Sequence, residues 1–168
     1  MEPKAVLDFI CRRRSVRRYQ KKEIPKETLD FLMKTAMAAP SGNNVQPWEF
    51  VIVQDPPTKE ALSRVHSWVH MAAGASAAIV VLGDKGTEWW EDDCAAATEN
   101  LLLAAANLGL GAVWCGIKES QAPAVRKILG IPGKLEVLCI IPIGYPAESP
   151  PPHTKYRRDK IHLDRYGS

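Results

Sequence analysis

Residues 94–108 read CAAATENLLLAAANL, and this run constrains the fold more than any other part of the chain. Alanine and leucine favour a helix, and the segment Trp89–Leu108 is predicted to form the longest one. Its second half is apolar nearly all round. Such a helix has no face to give to water, so it belongs in the middle of a core and must be covered on more than one side. Gly109 ends it. Asn107, Gly109 and Gly111 interrupt the apolar stretch that continues to Cys115, so no membrane span is expected there. A chain of 168 residues can build one compact domain around such a helix and is too short for two. A single domain over 1–168 is expected.

The covering elements can be read on either side. Ala5–Arg13 suits a short helix with Val6, Ile10 and Phe9 on its inner side. Lys26–Ala38 places Leu29, Leu32, Met33, Ala36 and Met37 at helical spacing, and Pro40 ends it. Glu49–Val53 reads as a strand stopped by Asp55-Pro56-Pro57, and Thr58–Val69 as a helix capped near Asp55 or Thr58. Ala77–Leu82, Gly111–Ile117 and Leu135–Ile143 read as strands, and Ala122–Leu129 as a helix closed by Gly130. Helices alternate with a small number of strands, about four or five, which suggests an α+β fold with the strands covered by helices. Beyond Gly144 the chain turns proline-rich and charged. It is either a solvated tail or an arm gripping a partner through Ile161, Leu163 and Tyr166.

The net charge of +3 is mild, but its basic residues are clustered. Arg12, Arg13, Arg14, Arg17 and Arg18 lie near one end; Lys155, Arg157, Arg158 and Lys160 lie near the other. Nucleic acid, a membrane surface or an anionic small ligand would all suit such clusters. The four cysteines, Cys11, Cys94, Cys115 and Cys139, are far apart and read as buried free thiols. Met1–Ile10 is short and charged for a secretory signal, so a cytoplasmic protein is expected.

No dinucleotide glycine fingerprint, phosphate-binding loop, zinc-protease motif or serine-nucleophile elbow occurs. His66 and His70 are four apart, yet no third ligand sits at matching spacing; a helix-surface pair accounts for them, and no metal is expected. Two other stretches carry chemistry. RRRSVRRY offers guanidinium forks and a hydroxyl suited to phosphate, although alone such a run is more often a solvated basic helix end. APSGNNVQPWEF (39–50) adds amides and hydroxyls between two breakers, although alone its Ser and Asn side chains can satisfy their own turns.

Together these stretches resemble the FMN-dependent nitroreductase family. DCAAATENLLLAAANLGLGAVWCGI resembles its central dimer helix and following strand. IIPIGYPAE and PPHTKYRRDKIHLDRYG resemble its last core strand and C-terminal arm. The resemblance spans nearly all of residues 8–167 in the same order. It implies a nitroreductase-like fold, with a central, mostly antiparallel sheet flanked by helices, in an intertwined homodimer, with FMN at the subunit interface and residues 145–168 as an arm reaching over the partner. Arg13, Arg14 and Ser15 would hold the phosphate, ribityl chain and one ring edge, with Arg17 beside the pyrimidine side of the ring. Pro40, Ser41, Asn44 and Gln46 match the loop that reaches the partner's flavin, with Pro47 and Trp48 completing the motif. Trp114, Cys115 and Gly116, with Pro142, Ile143 and Gly144, would line the other side. His153 and Lys155 fall where the family places a basic pair, usually arginine, with Arg157 as a fallback.

The resemblance implies an oxidoreductase that takes hydride from NADH or NADPH and reduces nitroaromatic, quinone or similar acceptors by a ping-pong mechanism. A guanidinium near the flavin edge where negative charge collects would stabilise the reduced cofactor, and Arg17 is the candidate. Relatives on this scaffold perform reductive dehalogenation or flavin fragmentation, and a non-catalytic FMN carrier is a further alternative. The chain is short for the family, so an open site is expected. Only 66–76 and 84–90 can extend over it, with Trp68, Trp89 or Trp90 stacking on substrate or serving as core or dimer contacts.

Overall fold

The computed structural model describes residues 3–152 and 155–167, with side chains from Val6 onward. At its centre is β2 (Ala77–Asp84), paired antiparallel with β1 (Trp48–Val53) on one side and β5 (Leu135–Gly144) on the other. The far edge of β5 pairs with two short strands, β3 (Gly111–Ala112) and β4 (Cys115–Gly116), to complete a five-stranded sheet. The α+β architecture and antiparallel sheet expected from the sequence are present.

Successive β2 side chains enter opposite cores, as strand geometry requires. Ala77, Ile79 and Val81 face a core shared with α2 (Lys26–Ala36) and α4 (Trp90–Asn107). Ala78, Val80 and Leu82 face a second core roofed by α3 (Pro56–Ser63) and α5 (Ala122–Leu129). The long helix α4 packs against α2 and β2 and buries Cys94, Ala97, Leu101 and Ala105 completely. Its end is closed in a Schellman arrangement: the Leu110 amide donates to Ala105 O at 2.9 Å and the Gly109 amide to Ala106 O at 3.2 Å. Gly109 takes φ +72°, which glycine adopts without a Cβ penalty.

β5 does not keep one alternation. Val81 pairs with Cys139 but Leu82 pairs with Val137, so Leu138 is an extra residue in the ladder. This bulge puts Val137 in the α3/α5 core and Cys139 in the α2/α4 core, although both positions have the same parity. The expected strand over Gly111–Ile117 is broken into two. Val113 lies opposite Pro142 and donates to its carbonyl at 3.3 Å, but proline has no N–H to return.

Other boundaries differ for local reasons. α3 begins at Pro56, with the Asp55 carboxylate accepting from the Thr58 amide at 2.9 Å, because proline suits the first helical position. It ends at Ser63, and residues 67–74 form a separate 3-10 turn. His66 is extended and His70 lies within that turn, so the pair does not share a helix face. α2 ends at Ala36, leaving Met37 half-exposed. In the first helix, α1 (Pro3–Arg12), Val6, Leu7 and Ile10 face outward rather than inward, and Phe9 is only partly covered. Cys11 is exposed, correcting the expectation of four buried thiols; Cys94, Cys115 and Cys139 are buried. Ile161, Leu163 and Tyr166 are likewise exposed on this chain.

Candidate functional site

The arginine segment leaves α1 and joins the edge of the sheet. Ser15 bridges Ala112 in parallel, and the Val16 amide donates to Ala112 O at 3.0 Å. The buried Val16 side chain lies directly on Gly111, where an added Cβ would sit 2.6 Å from Val16 Cβ; only glycine lets the two backbones approach so closely. Tyr19 continues the docking. Its hydroxyl lies 2.7 Å from Val16 O and 3.0 Å from Pro142 O, so its proton is shared between two carbonyls. Burial holds its phenol well above the ordinary range, with Cys115 and Glu148 adding to the shift against Arg17. Arg13–Arg17 therefore run beside β3 and the Pro142–Gly144 end of β5, as the candidate site requires.

The five arginines are not equivalent. Arg12 Nε donates to Asp8 O, and Arg13 Nε lies 3.4 Å from Glu99 Oε1. Arg14 donates to the carbonyls of Pro151, Cys11 and Arg13, and Arg18 pairs with Glu148 at 3.0 Å. Arg17 alone among them has a guanidinium with no hydrogen bond or ion pair among the described residues. The hydroxyl of Ser15 is likewise unengaged among the described residues. Both line a cleft of about 320 Å³ with Arg18, Glu148 and Pro151. Arg13 and Arg14 line a second cleft, of about 420 Å³, on the other side.

Arg17 also reaches β4 electrically. Burial pushes the Cys115 thiol up to about 11, and the positive charge of Arg17 opposes that shift. The Cys115 thiol faces inward, donating to Trp68 O at 3.0 Å, which leaves the backbone of this strand to face a ligand. Trp114 is partly exposed beside it, and Gly116 offers its carbonyl to Trp68 Nε1 at 3.0 Å. Trp68 is stacked on His66, with ring centroids 3.3 Å apart. The rest of residues 67–74 is no loose flap, because Val69, Met71 and Ala72 are core.

The loop 40–46 is built as a rigid feature. Asn43, Asn44 and Gln46 have φ of 50°, 56° and 54°, a left-handed stretch that non-glycine residues seldom hold. Several hydrogen bonds over-determine it. Ser41 Oγ accepts from the Gln46 amide at 3.0 Å, and Gln46 Nε2 donates to Asn44 Oδ1 at 3.0 Å. Asp93 Oδ1, at the start of α4, accepts from the Gly42 amide at 3.0 Å, and Trp89 covers Gly42. The loop thus satisfies part of its own hydrogen-bonding, while the Ser41 O–H, Asn44 Nδ2 and Gln46 Oε1 stay unengaged among the described residues. Strain held this firmly points to a functional surface.

One chain does not bring the two halves together. The loop leads into Trp48, which pairs with Gly83, whereas Ser15 and Ala112 sit at the Ile143–Ala77 end. Six residues of β2 separate these ends, about 20 Å at strand rise. Of the other site residues, Pro142, Ile143 and Gly144 lie at the arginine end, with Gly144 packed on Tyr19. Lys155 is exposed, Arg157 is paired with Asp159 at 2.6 Å, and His153 lies outside the described residues. Trp90 is half-buried against Gly83 and the core, whereas Trp89 is 51% exposed.

Sequence reasoning did not find Glu148 or Asp93, the two carboxylates that fix the arginine segment and the loop. Each acts on backbone amides remote in sequence, and no spacing signals that. Among the described residues no cluster of three His, Cys, Asp or Glu side chains could hold a metal ion, and no helix is long and apolar enough to cross a membrane.

The fold and its arginine-lined edge can be set beside known proteins. The family model described as "Nitroreductase family" matches residues 10–69 and 59–145. A protein of Methanothermobacter thermautotrophicus, provisionally named NADH dehydrogenase/NAD(P)H nitroreductase, is 38% identical over 167 residues, covering 96% of this chain and 87% of its own. The structure of an FMN-dependent nitroreductase from Clostridium difficile superposes with a TM-score of 0.90 at 31% identity, over 95% of this chain and 99% of that one. Oxidised iodotyrosine deiodinase bound to FMN and 3-iodo-L-tyrosine superposes with a TM-score of 0.78 at 28% identity, over 97% and 99% of the two chains. With the family model matching well over half its length, on the same sheet and helices described above, the chain belongs to the nitroreductase family.

Proposed function

We propose that the protein is an FMN-dependent oxidoreductase that takes hydride from NADH or NADPH and passes it to nitroaromatic, quinone or similar acceptors in a ping-pong cycle. The observation that carries this reading is Arg17. Among the described residues its guanidinium is the one in the cluster left without a hydrogen-bond or ion-pair partner, beside a Ser15 hydroxyl that is likewise unengaged among them, and it is within electrostatic reach of Cys115. A cation of that kind suits an anionic ligand, and Ser15 and Arg17 share one cleft that suits the phosphate or ring edge of FMN. Arg13 and Arg14 line the other cleft and would have to leave Glu99 and the Pro151 carbonyl to join them on the phosphate and ribityl chain. When bound, FMN supplies the hydride-accepting centre. Arg17 would stabilise negative charge developing at the ring edge, and the backbone of Trp114, Cys115 and Gly116 with the Pro142-Ile143-Gly144 end of β5 would line the other side.

The site is completed by a second copy. The distance between the arginine segment and the loop 40–46 in one chain supports contribution of Pro40, Ser41, Asn44 and Gln46 to the partner's flavin. The outward apolar residues Leu7, Ile10, Phe31 and Leu163 support a homodimer in which the 145–168 arm of this single 1–168 domain first pairs with its own chain at Tyr145–Glu148 and then reaches over the other subunit, with Lys155 near the phosphate. The exposure of Trp68 beside Gly116 and of Trp89 over Gly42 supports these two, rather than Trp90, as the residues that stack on an acceptor. A cytoplasmic setting fits this reading.

The test is anaerobic titration of the purified protein. Bleaching of bound-flavin absorbance by NADH or NADPH, and its return on adding a nitroaromatic or quinone, is the expected result. Sedimentation of a dimer should accompany it. A monomer that binds no FMN, or bound FMN that nicotinamide does not reduce, would refute the reading. The similarity to iodotyrosine deiodinase supports a second reading, reductive dehalogenation. Halide release from a halogenated phenol, at a rate exceeding nitro reduction, would favour it.

A further inference from the structure

We propose that Glu148 is a positioning residue: its carboxylate fixes the Arg17–Arg18 backbone and so presents Ser15 and Arg17 to the anionic cofactor. The proposal rests on the flavin reading above for what is presented, and on this chain's geometry for how.

Residues 145–148 run beside residues 17–20. The Gln20 amide donates to Tyr145 O at 2.9 Å, Tyr19 faces Pro146 across an antiparallel bridge, and the Ala147 amide donates to Arg18 O at 2.9 Å. At the end of this short ladder the Arg17 and Arg18 amides both turn to one side, where strand pairing offers a single carbonyl at best. Glu148 Oε1 accepts from both, at 2.6 Å and 3.2 Å, and Oε2 accepts from Arg18 Nε at 3.0 Å. A carboxylate suits this arrangement because it takes consecutive amides as an anion nest does. Its oxygens are turned onto the two amides and onto Arg18 Nε, within the cleft that Glu148 lines with Arg17.

The two halves of the contact differ in weight. Arg18 is 76% exposed, and an ion pair so open to water contributes little. The amide bonds carry the effect, because they set the backbone from which the Arg17 side chain projects.

Substitutions separate these roles. Glu148→Gln keeps an oxygen for both amides and loses the negative charge and the oxygen facing Arg18. Glu148→Ala removes everything, Glu148→Asp keeps the charge but withdraws it by one methylene, and Arg18→Met removes the ion pair alone. Two readouts are taken on the full chain: the FMN dissociation constant from fluorescence quenching, and amide hydrogen exchange over residues 16–19. Glu148→Ala and Glu148→Asp are expected to weaken FMN about tenfold or more and to speed exchange at the Arg17 and Arg18 amides. Glu148→Gln and Arg18→Met should stay within about threefold of the parent, with exchange unchanged. Unchanged FMN affinity in Glu148→Ala, or equal losses in Glu148→Gln and Glu148→Ala, overturns the proposal. Should Glu148→Ala fail to fold, Glu148→Asp against Glu148→Gln decides, and parent-like behaviour of the Asp variant overturns it. A parent chain that binds no FMN refutes the flavin reading instead, and the exchange comparison still decides whether Glu148 fixes this backbone.

Discussion

Gly111→Ala tests whether the arginine segment is seated by close approach of two backbones. A Cβ at this position would lie 2.6 Å from Val16 Cβ, 2.6 Å from its Cγ1 and 2.9 Å from its Cγ2. None of these is the far end of a flexible chain, and Val16 is buried at 6% exposure, so the edge segment itself must move. Overpacking of this kind costs about 1–3 kcal/mol. Alanine returns at most about 1 kcal/mol by restricting the unfolded chain. The expected net loss is about 1–2 kcal/mol in urea unfolding, accompanied by weaker FMN binding because Ser15 bridges the neighbouring Ala112. Val16→Ala removes the two Cγ contacts but leaves Cβ, so it should relieve the clash in part. The double variant should therefore be more stable than the sum of the single effects by about 0.5 kcal/mol or more. A Gly111→Ala protein as stable as the parent, or strict additivity in the cycle, would refute the seating argument.

Arg17→Met is expected to slow flavin reduction by nicotinamide about a hundredfold in stopped-flow measurements, with a smaller change in FMN affinity; an unchanged rate would remove Arg17 from the chemistry. Leu101→Ala, in the middle of α4 and 0% exposed, should cost about 3–5 kcal/mol in urea unfolding. Glu148 gives a pH signature. The Arg17 amide and the Arg18 side chain hold its carboxyl below the ordinary value of 4.5. A depressed folded pKa stabilises the fold above the unfolded value, and this stability is lost as pH falls through the folded value. Between about pH 6 and about pH 3 the urea midpoint should therefore fall more in the parent than in Glu148→Gln; parallel profiles would show that the carboxylate is not so held.

Local pattern made much of this protein legible. The all-round apolar run at 94–108 required a central helix, and α4 is the helix shared by α2 and the sheet. The β-branched run at 77–82 required a strand covered on both faces, and β2 is that strand. The family resemblance carried in RRRSVRRY and APSGNNVQPWEF pointed to the two polar segments that the fold treats as special. The helix and the strand are encoded within a few residues of one another, through periodicity and turn chemistry, so they are visible without coordinates, whereas the two polar segments stood out only through the resemblance.

Tertiary structure decided the rest, because the deciding contacts join residues far apart in sequence. The extra residue at Leu138 exchanges the faces of β5, so Val137 and Cys139 enter opposite cores despite equal parity. Pro142, lying opposite Val113, breaks the expected strand 111–117 into β3 and β4. Asp93 and Glu148 acquire their roles only when folding brings the Gly42 and Arg17 amides to them. The arginine cluster likewise reads as five equal cations in sequence, yet only the folded chain gives four of them partners and leaves Arg17 free among the described residues. Charge is a property of the residue, but its availability depends on which carbonyls and carboxylates the fold places within reach.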